Sequence, residues 1–403
     1  MLTVEAARAR ILATAKLLPN ELIPVAQGLG RVLAEDLAAR VTQPPVAVSA
    51  MDGYAVRFAD VARVPAVLKV VGNVPAGRRH DGTIGPGECV RIFTGAPLPD
   101  GADSIVIQEN TKAGAGTVEV LEAPARGRYV RAAGLDFAAG RVGLPANRRL
   151  TARDVGLAAA MNRPWLTVRR RPRVAVLATG DEIVMPGDPV GPSQIVSSNA
   201  LSLMSFLACE GVEAVNLGVA PDRKEALQAY AAGAAGMDLL LTTGGASVGE
   251  HDLVQSALGE QGLALDFWKI AMRPGKPLMF GRMGTTALIG LPGNPVSTVV
   301  CTLLFVRPYL RALQGLPTDT ETVTAKLAVD LPENDNREDY LRSRLFRDPE
   351  GHLWVEPFSK QDSSMLALLA GADALAIRPI AAPPLKRGSD IQVLRIEGSA
   401  YSP

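Results

Sequence analysis

Carboxylates and cations set in glycine- and proline-rich loops are the residues of this chain best suited to chemistry. Asp52, Asp136, Glu182, Asp222 and Asp252 each stand within a few positions of glycine or proline. Taken singly, an acid beside glycine is most often a turn residue. Taken as a set, they suit Mg²⁺, which accepts a few carboxylates together with phosphate oxygens and water. The positive counterpart is Lys269, Arg273, Lys276 and Arg342, with the hydroxyls of Ser297 and Ser363. In Arg273-Pro274-Gly275-Lys276-Pro277 a stiff turn presents two cations, so their donors meet a tetrahedral oxyanion with little reordering. No Ser-His-Asp or Cys-His arrangement stands out. GxxxxGK[ST] is absent, which excludes a P-loop NTPase.

These groups need rigid elements behind them, and two stretches supply the pattern. Residues 239–241 are an apolar run that opens into TTGGASVG at 242–249. That suits a buried parallel strand breaking into a glycine loop. Gly244, Gly245 and Gly249 allow close backbone approach, Thr243 and Ser247 add hydroxyls, and Glu250 and Asp252 add acids to the rim. Residues 287–289 repeat the logic, running into GLPGNP with Pro292, Gly293 and Pro295, and then a helix from about 296. Strand, glycine loop and helix start is how open α/β sheets bind anions. One such loop reads as a tight turn. Two of them flanking the Arg273–Lys276 turn point to an anion site.

Composition narrows the class. The chain has 403 residues, 47% hydrophobic and 21% charged, so several soluble-type domains are expected. A net charge of +1 and 4% aromatics argue against a general nucleic-acid or acidic-membrane binder. Cys89, Cys209 and Cys301 are dispersed, as are His80, His251 and His352. This fits a reducing, cytoplasmic setting and no His/Cys zinc cluster. No run approaches the length of a membrane span.

The order of elements implies a multi-domain α/β protein with β modules. Residues 3–18 read as an amphipathic helix ended by Pro19, and 31–37 as a strand. Short Val/Ile runs at 67–71, 89–93, 104–108 and 117–121 read as an all-β module. A helix at 154–160 with Thr151 as N-cap returns the chain to the first region. The expected division is 1–44 plus 146–172 as a discontinuous N-terminal domain and 45–145 as an inserted β module. From 173 to 318 strands alternate with helices, implying a parallel sheet covered on both faces. Residues 319–403 carry short alternating strands that read as a β-barrel-like domain. The arginine-rich stretch 126–173, with only Asp136 and Asp154 as acids, reads as a solvated face.

Six motifs occur in a familiar order: SAMDGYAV (49–56), FTGAP (93–97), TGDE (179–182), TGGASVG (243–249), PGKP (274–277) and GLPGNPVS (290–297). In them the chain resembles the MoeA-type molybdopterin molybdenumtransferases, related to the gephyrin E domain, over essentially its whole length. The resemblance implies insertion of molybdenum from molybdate into adenylylated molybdopterin, with release of AMP. It further implies Mg²⁺, a homodimer whose cleft draws on both protomers, and transient contacts with other cofactor-biosynthesis proteins. Carried over by motif, Asp52, Thr94, Asp136, Glu182, Asp222 and Asp252 line the metal and pterin-nucleotide site, with Glu182, Asp222 and Asp252 as metal ligands. Lys269, Arg273, Lys276, Ser297, Arg342 and Ser363 form the molybdate and phosphate pocket. Thr243, Gly244, Gly245, Ser247, Gly249, Pro292, Gly293 and Pro295 shape the pterin-nucleotide loops. Arg273 stands where the family commonly has lysine, replacing a compact ammonium by a planar fork. Leu135 stands where an acid often precedes Asp136. The rival readings are a molybdopterin adenylyltransferase, which shares the α/β domain but has no use for the flanking ones, and a non-catalytic pterin-binding scaffold.

Overall fold

The structure, a computed structural model, describes residues 1–244 and 253–396. Gly245, Ser247, Gly249, Glu250 and Asp252 therefore lie outside the described residues. The chain divides into two units, Met1–Glu21, Gly30–Val32 and Val168–Pro403 in the first, and Leu22–Leu29 and Leu33–Thr167 in the second.

The first unit is built on a six-stranded sheet. Its spatial order is Glu213–Ala220, Arg173–Thr179, Leu239–Thr243, Thr286–Leu291, Met279–Met283 and Leu263–Trp268. The first four strands are mutually parallel. Their apolar runs are continuous because both faces are covered. Val174, Val176, Leu239, Leu241, Ala287 and Ile289 join one core with the helices Val4–Ala13, Asn199–Cys209 and Pro295–Cys301. The alternate residues Ala175, Leu177, Leu240 and Leu288 join a second core with Leu227, Ala231 and Val254. A wholly parallel sheet is not what forms. Met279–Met283 turns back on Thr286–Leu291 as an antiparallel hairpin through Gly284 (φ +57°), and Leu263–Trp268 adds to its edge. The sequence there lacks strict alternation, so its period does not announce a strand pair.

The helix at Val4–Ala13 also differs from expectation. It ends well before Pro19, where the Thr14 hydroxyl donates to the Ile11 carbonyl. Val4, Ala7 and Ile11 are buried, so this face packs within the first unit. Met1–Glu21 belongs by its contacts to the first unit.

The GLPGNP loop starts a helix from Pro295, which continues through a π-helical segment, Thr302–Val306, to Gln314. Gly315 ends it in the left-handed region at φ +75°. By its length (20 residues) and the mean hydropathy of its most apolar 18 residues (1.4) this helix is long and apolar enough to cross a membrane. It is 78% buried in the protein, as a core helix is.

Residues beyond it form a closed five-stranded sheet: Glu338–Arg347, Leu353–Pro357, Thr322–Leu327, Asp390–Arg395 and Ala374–Arg378, the last pairing back on the first. Met272–Arg273 adds in parallel to Glu338 and Asp339, bringing the Arg273–Lys276 turn beside this barrel.

The second unit carries a six-stranded sheet ordered Ser104–Ile107, Gly53–Val56, Glu88–Ile92, Ala66–Val74, Thr117–Val120 and Thr111–Ala113. Its helix Ala152–Ala160 starts in a capping box, Thr151 with Asp154, as the sequence indicates.

Candidate active site

The parallel strands Arg173–Thr179 and Leu239–Thr243 are neighbours whose following crossovers leave in opposite directions, and ligands bind at such switch points. A cavity of about 440 Å³ opens there, lined by Thr179, Glu182, Ser198, Asn199, Thr243, Gly244, Gly293, Asn294 and Pro295. Ile183, Ile195, Val196 and Leu366 give it an apolar side, so it can hold a flat ring with a polar edge. Gly244 is required at its floor: it sits at φ +92°, and a Cβ would come within 2.3 Å of the Thr179 carbonyl oxygen. Asn199 clamps the two glycine loops by donating to Thr243 Oγ1 at 2.9 Å and the Gly293 carbonyl at 2.7 Å. The Thr179 hydroxyl is buried without a partner among the described residues. Asn199 and Asn294 were not singled out from the sequence. Their signals were a polar Ser-Ser-Asn run at a helix start and the asparagine inside GNP.

A second cavity, about 630 Å³, abuts the first, with Glu182, Gly244, Gly293 and Asn294 lining both. Arg273, Lys276, Arg337, Pro292, Ser297, Gln361, Asp362 and Ser363 line it. Ser297 sits in the first turn of the Pro295 helix, and Ser363 accepts a hydrogen bond from Asn294 Nδ2 at 2.8 Å. Sheet and barrel thus each supply a hydroxyl to one polar space. Lys276 makes no ion pair among the described residues and is free to meet an anion.

The other cations differ from the expected cluster. Arg273 reaches the cavity but donates to Asp339 and Asp335, and Asp339 lifts its pKa above the usual guanidinium value. Arg342 is only 1% exposed and does not line either cavity. Burial lowers its pKa, its Nη2 donates to the Asp362 carbonyl, and its Nε has no partner among the described residues. Arg342 therefore backs the wall formed by Gln361 and Asp362. Lys269 also lies outside both linings, its Nζ 4.5 Å from the Trp268 ring centre. Arg337 was missed from the sequence because nothing local marks it.

Of the acids, Glu182 lines both cavities. Asp222 accompanies it: the Asp222 amide donates to Asp181 Oδ1, and burial and the charges of Asp181 and Glu182 raise the Asp222 pKa. Asp222 itself lies outside both linings; crowding of carboxylates of this kind is what a divalent cation relieves. The one group of three acids and histidines whose ligand atoms gather closely among the described residues is Asp348, Glu350 and His352, away from these motifs.

Asp52, Thr94 and Asp136 belong to the second unit. Gly53 begins a central strand because a Cβ there would lie 2.0 Å from the Val106 carbonyl oxygen. Gly53 thus serves close strand packing, while Asp52 stands in the bend at 50–52 that leads into the strand. The Thr94 amide and hydroxyl both donate to Asp52 Oδ1, at 2.8 and 2.9 Å, and hold its pKa below the usual carboxylate value. Ser49 and Gly95–Ala96 zip the two motifs together through their backbones. Asp136 is exposed on a separate loop whose amide donates to the Gln43 carbonyl.

Comparison with known proteins agrees with this architecture. Residues 2–162 match the MoeA N-terminal region (domain I and II), 175–312 a probable molybdopterin binding domain, and 324–396 the MoeA C-terminal region (domain IV). A molybdopterin molybdenumtransferase of Nostoc sp. is 36% identical over 94% of this chain and 89% of its own. One of Haemophilus influenzae is 32% identical over 94% of each. The crystal structure of a molybdopterin biosynthesis MoeA protein from Pyrococcus horikoshii superposes with a TM-score of 0.84 at 30% identity, over 99% of this chain and 100% of that one. The chain belongs to the MoeA family of molybdopterin molybdenumtransferases.

Proposed function

We propose that the protein inserts molybdenum from molybdate into adenylylated molybdopterin, releasing AMP and completing the molybdenum cofactor. The observation that carries this reading is that two unlike cavities abut at one sheet edge, with four lining residues in common. The part-apolar cavity suits the ring of a pterin nucleotide, and the polar one suits phosphate and molybdate. Both substrates are polyanions, so bringing them together requires fixed positive charge and oriented donors. Lys276 supplies the free ammonium, Ser297 a hydroxyl at a helix start, and Ser363 one from the barrel side. Arg273, Arg342 and Lys269 act less directly. Arg273 ties the turn to Asp339, Arg342 supports the wall, and Lys269 stands beside Trp268. Thr243, Gly244, Pro292, Gly293 and Pro295 let the nucleotide lie against backbone, with Asn199 fixing the spacing of their loops.

Glu182 and Asp222 would hold Mg²⁺, with Asp252 as the further ligand that the resemblance implies. Bound there, the ion would screen phosphate charge. Asp52, with its carboxylate kept ionised by Thr94, and Asp136 are the acids of the second unit to which the resemblance gives a catalytic part. We assign the protein to the cytoplasm as a homodimer whose cleft draws on both protomers, with transient contacts to other cofactor-biosynthesis proteins. The four-part division of the chain belongs to the same proposal. Incubation with adenylylated molybdopterin, with and without molybdate, tests the reaction. Molybdate-dependent AMP release supports insertion. Accumulation of adenylylated pterin from ATP and molybdopterin would favour adenylyl transfer, and no turnover of either kind a scaffold.

A further inference from the structure

Two of the three cations lining the polar cavity share one exposed carboxylate. Asp335 Oδ2 accepts from Arg273 Nη1 at 3.1 Å and from Arg337 Nη2 at 3.2 Å. The third cation, Lys276, has no such partner among the described residues. We propose that Asp335 is an internal stand-in for the oxyanion: it occupies N–H donors at the guanidinium edges of Arg273 and Arg337 and gives way when a tetrahedral dianion enters. The inference rests on the proposed reading of the polar cavity as the oxyanion site.

The two carboxylates on Arg273 are not equivalent, and this decides which one yields. Asp339 is buried, carried on the strand that pairs with Met272–Arg273, so releasing it would strand a buried charge. Asp335 is exposed on a loop, and an exposed ion pair is weak and screened. A dianion outcompetes it for donors at comparable geometry. Arg273 is then held by Asp339 throughout, while its Nη1 edge and Arg337 become available. Asp335 reaches the two arginines from outside the lining, and the carboxylates within the lining do not compete in this way. Asp362 is engaged with the Ser364 amide and hydroxyl, and Glu182 makes no ion pair among the described residues. Asp335 thus lowers oxyanion affinity and keeps the arginines oriented between turnovers.

Asp335→Asn separates charge from shape, because the amide oxygen can still accept the Arg337 backbone N–H that Asp335 Oδ1 holds at 3.0 Å. Equilibrium dialysis of molybdate and of sulfate would be measured for wild type, D335N, R337A and the control D390N. Asp390 pairs with Lys326 and lines neither cavity. D335N is expected to bind both oxyanions about two- to fivefold tighter, R337A more weakly, and D390N as wild type. Affinity in D335N equal to or below wild type would overturn the inference, a drop meaning that Asp335 only holds the arginines in place. Equal tightening in D390N would also overturn it, by making the effect one of net charge. The outcome is separable from that of the underlying reading. Molybdate-dependent AMP release in wild type without tightening in D335N sinks this inference alone. Absence of AMP release sinks the reading, while sulfate dialysis still reports on Asp335.

Discussion

At the scale of single residues, Asp222 and Asp52 are carboxylates pushed in opposite directions by their surroundings. Burial and the neighbouring charges of Asp181 and Glu182 raise the Asp222 pKa, so its ionised form is held at a cost in the folded protein. The sign follows: this cost is absent at acidic pH, appears as pH climbs through the unfolded and then the folded pKa, and is fully present at neutral pH. Asp222→Asn should therefore raise the melting temperature of the metal-free protein at neutral pH, with the gain vanishing below the carboxylate range. Mg²⁺ should stabilise wild type and not the variant. Differential scanning fluorimetry across pH, with and without Mg²⁺, measures both. Asp52 is the reverse case, its carboxylate favoured by two Thr94 donors. Asp52→Asn keeps an acceptor for Thr94 but loses the favoured charge, so a slightly lower melting temperature at neutral pH, with AMP release reduced roughly a hundredfold, is expected. A melt shifted as far as the activity would make Asp52 a fold residue. These roles were legible in the sequence only as acids beside glycine. The partners were not: Thr94 lies 42 positions from Asp52, and Asp339 lies 66 from Arg273. Arg342 shows the same limit. Its burial comes from the Gln361–Asp362 wall, which no local pattern announces.

At the scale of elements, the strand Leu239–Thr243 and the strand-loop-helix unit at 286–301 were legible because burial on both faces leaves uninterrupted apolar runs and glycine marks their ends. The antiparallel hairpin ending in Met279–Met283 was not, since its residues follow neither strand nor helix period. Gly244 joins the two loops to function. A side chain there would meet Thr179 at a backbone angle that L residues avoid. Gly244→Ala should cost roughly 1–3 kcal/mol of stability, read from urea unfolding. It should also weaken nucleotide binding more than oxyanion binding, since Gly244 floors the part-apolar cavity. Equal losses for both ligands would mean that the two cavities do not act as separate subsites.

For the whole molecule, we expect a homodimer, and light scattering at micromolar concentration should give twice the chain mass of 42.3 kDa. In the helix Val4–Ala13, the residues Val4, Ala7 and Ile11 are spent inside the first unit. Exposed apolar groups remain in the second unit, among them Trp165 and Leu22. A monomer would leave the proposed two-protomer cleft without a basis.

The central claim is that one chain joins a pterin-nucleotide subsite to an oxyanion subsite for metal insertion. Its most direct measurement is a molybdate titration of AMP release from adenylylated molybdopterin, run on wild type and Lys276→Ala. AMP release should rise with molybdate and saturate in wild type. In the variant the half-saturating molybdate should rise about ten- to hundredfold, as expected for losing one charge-assisted contact, with nucleotide affinity nearly unchanged. AMP release that is indifferent to molybdate in wild type, or a Lys276→Ala titration superimposable on it, would contradict the account.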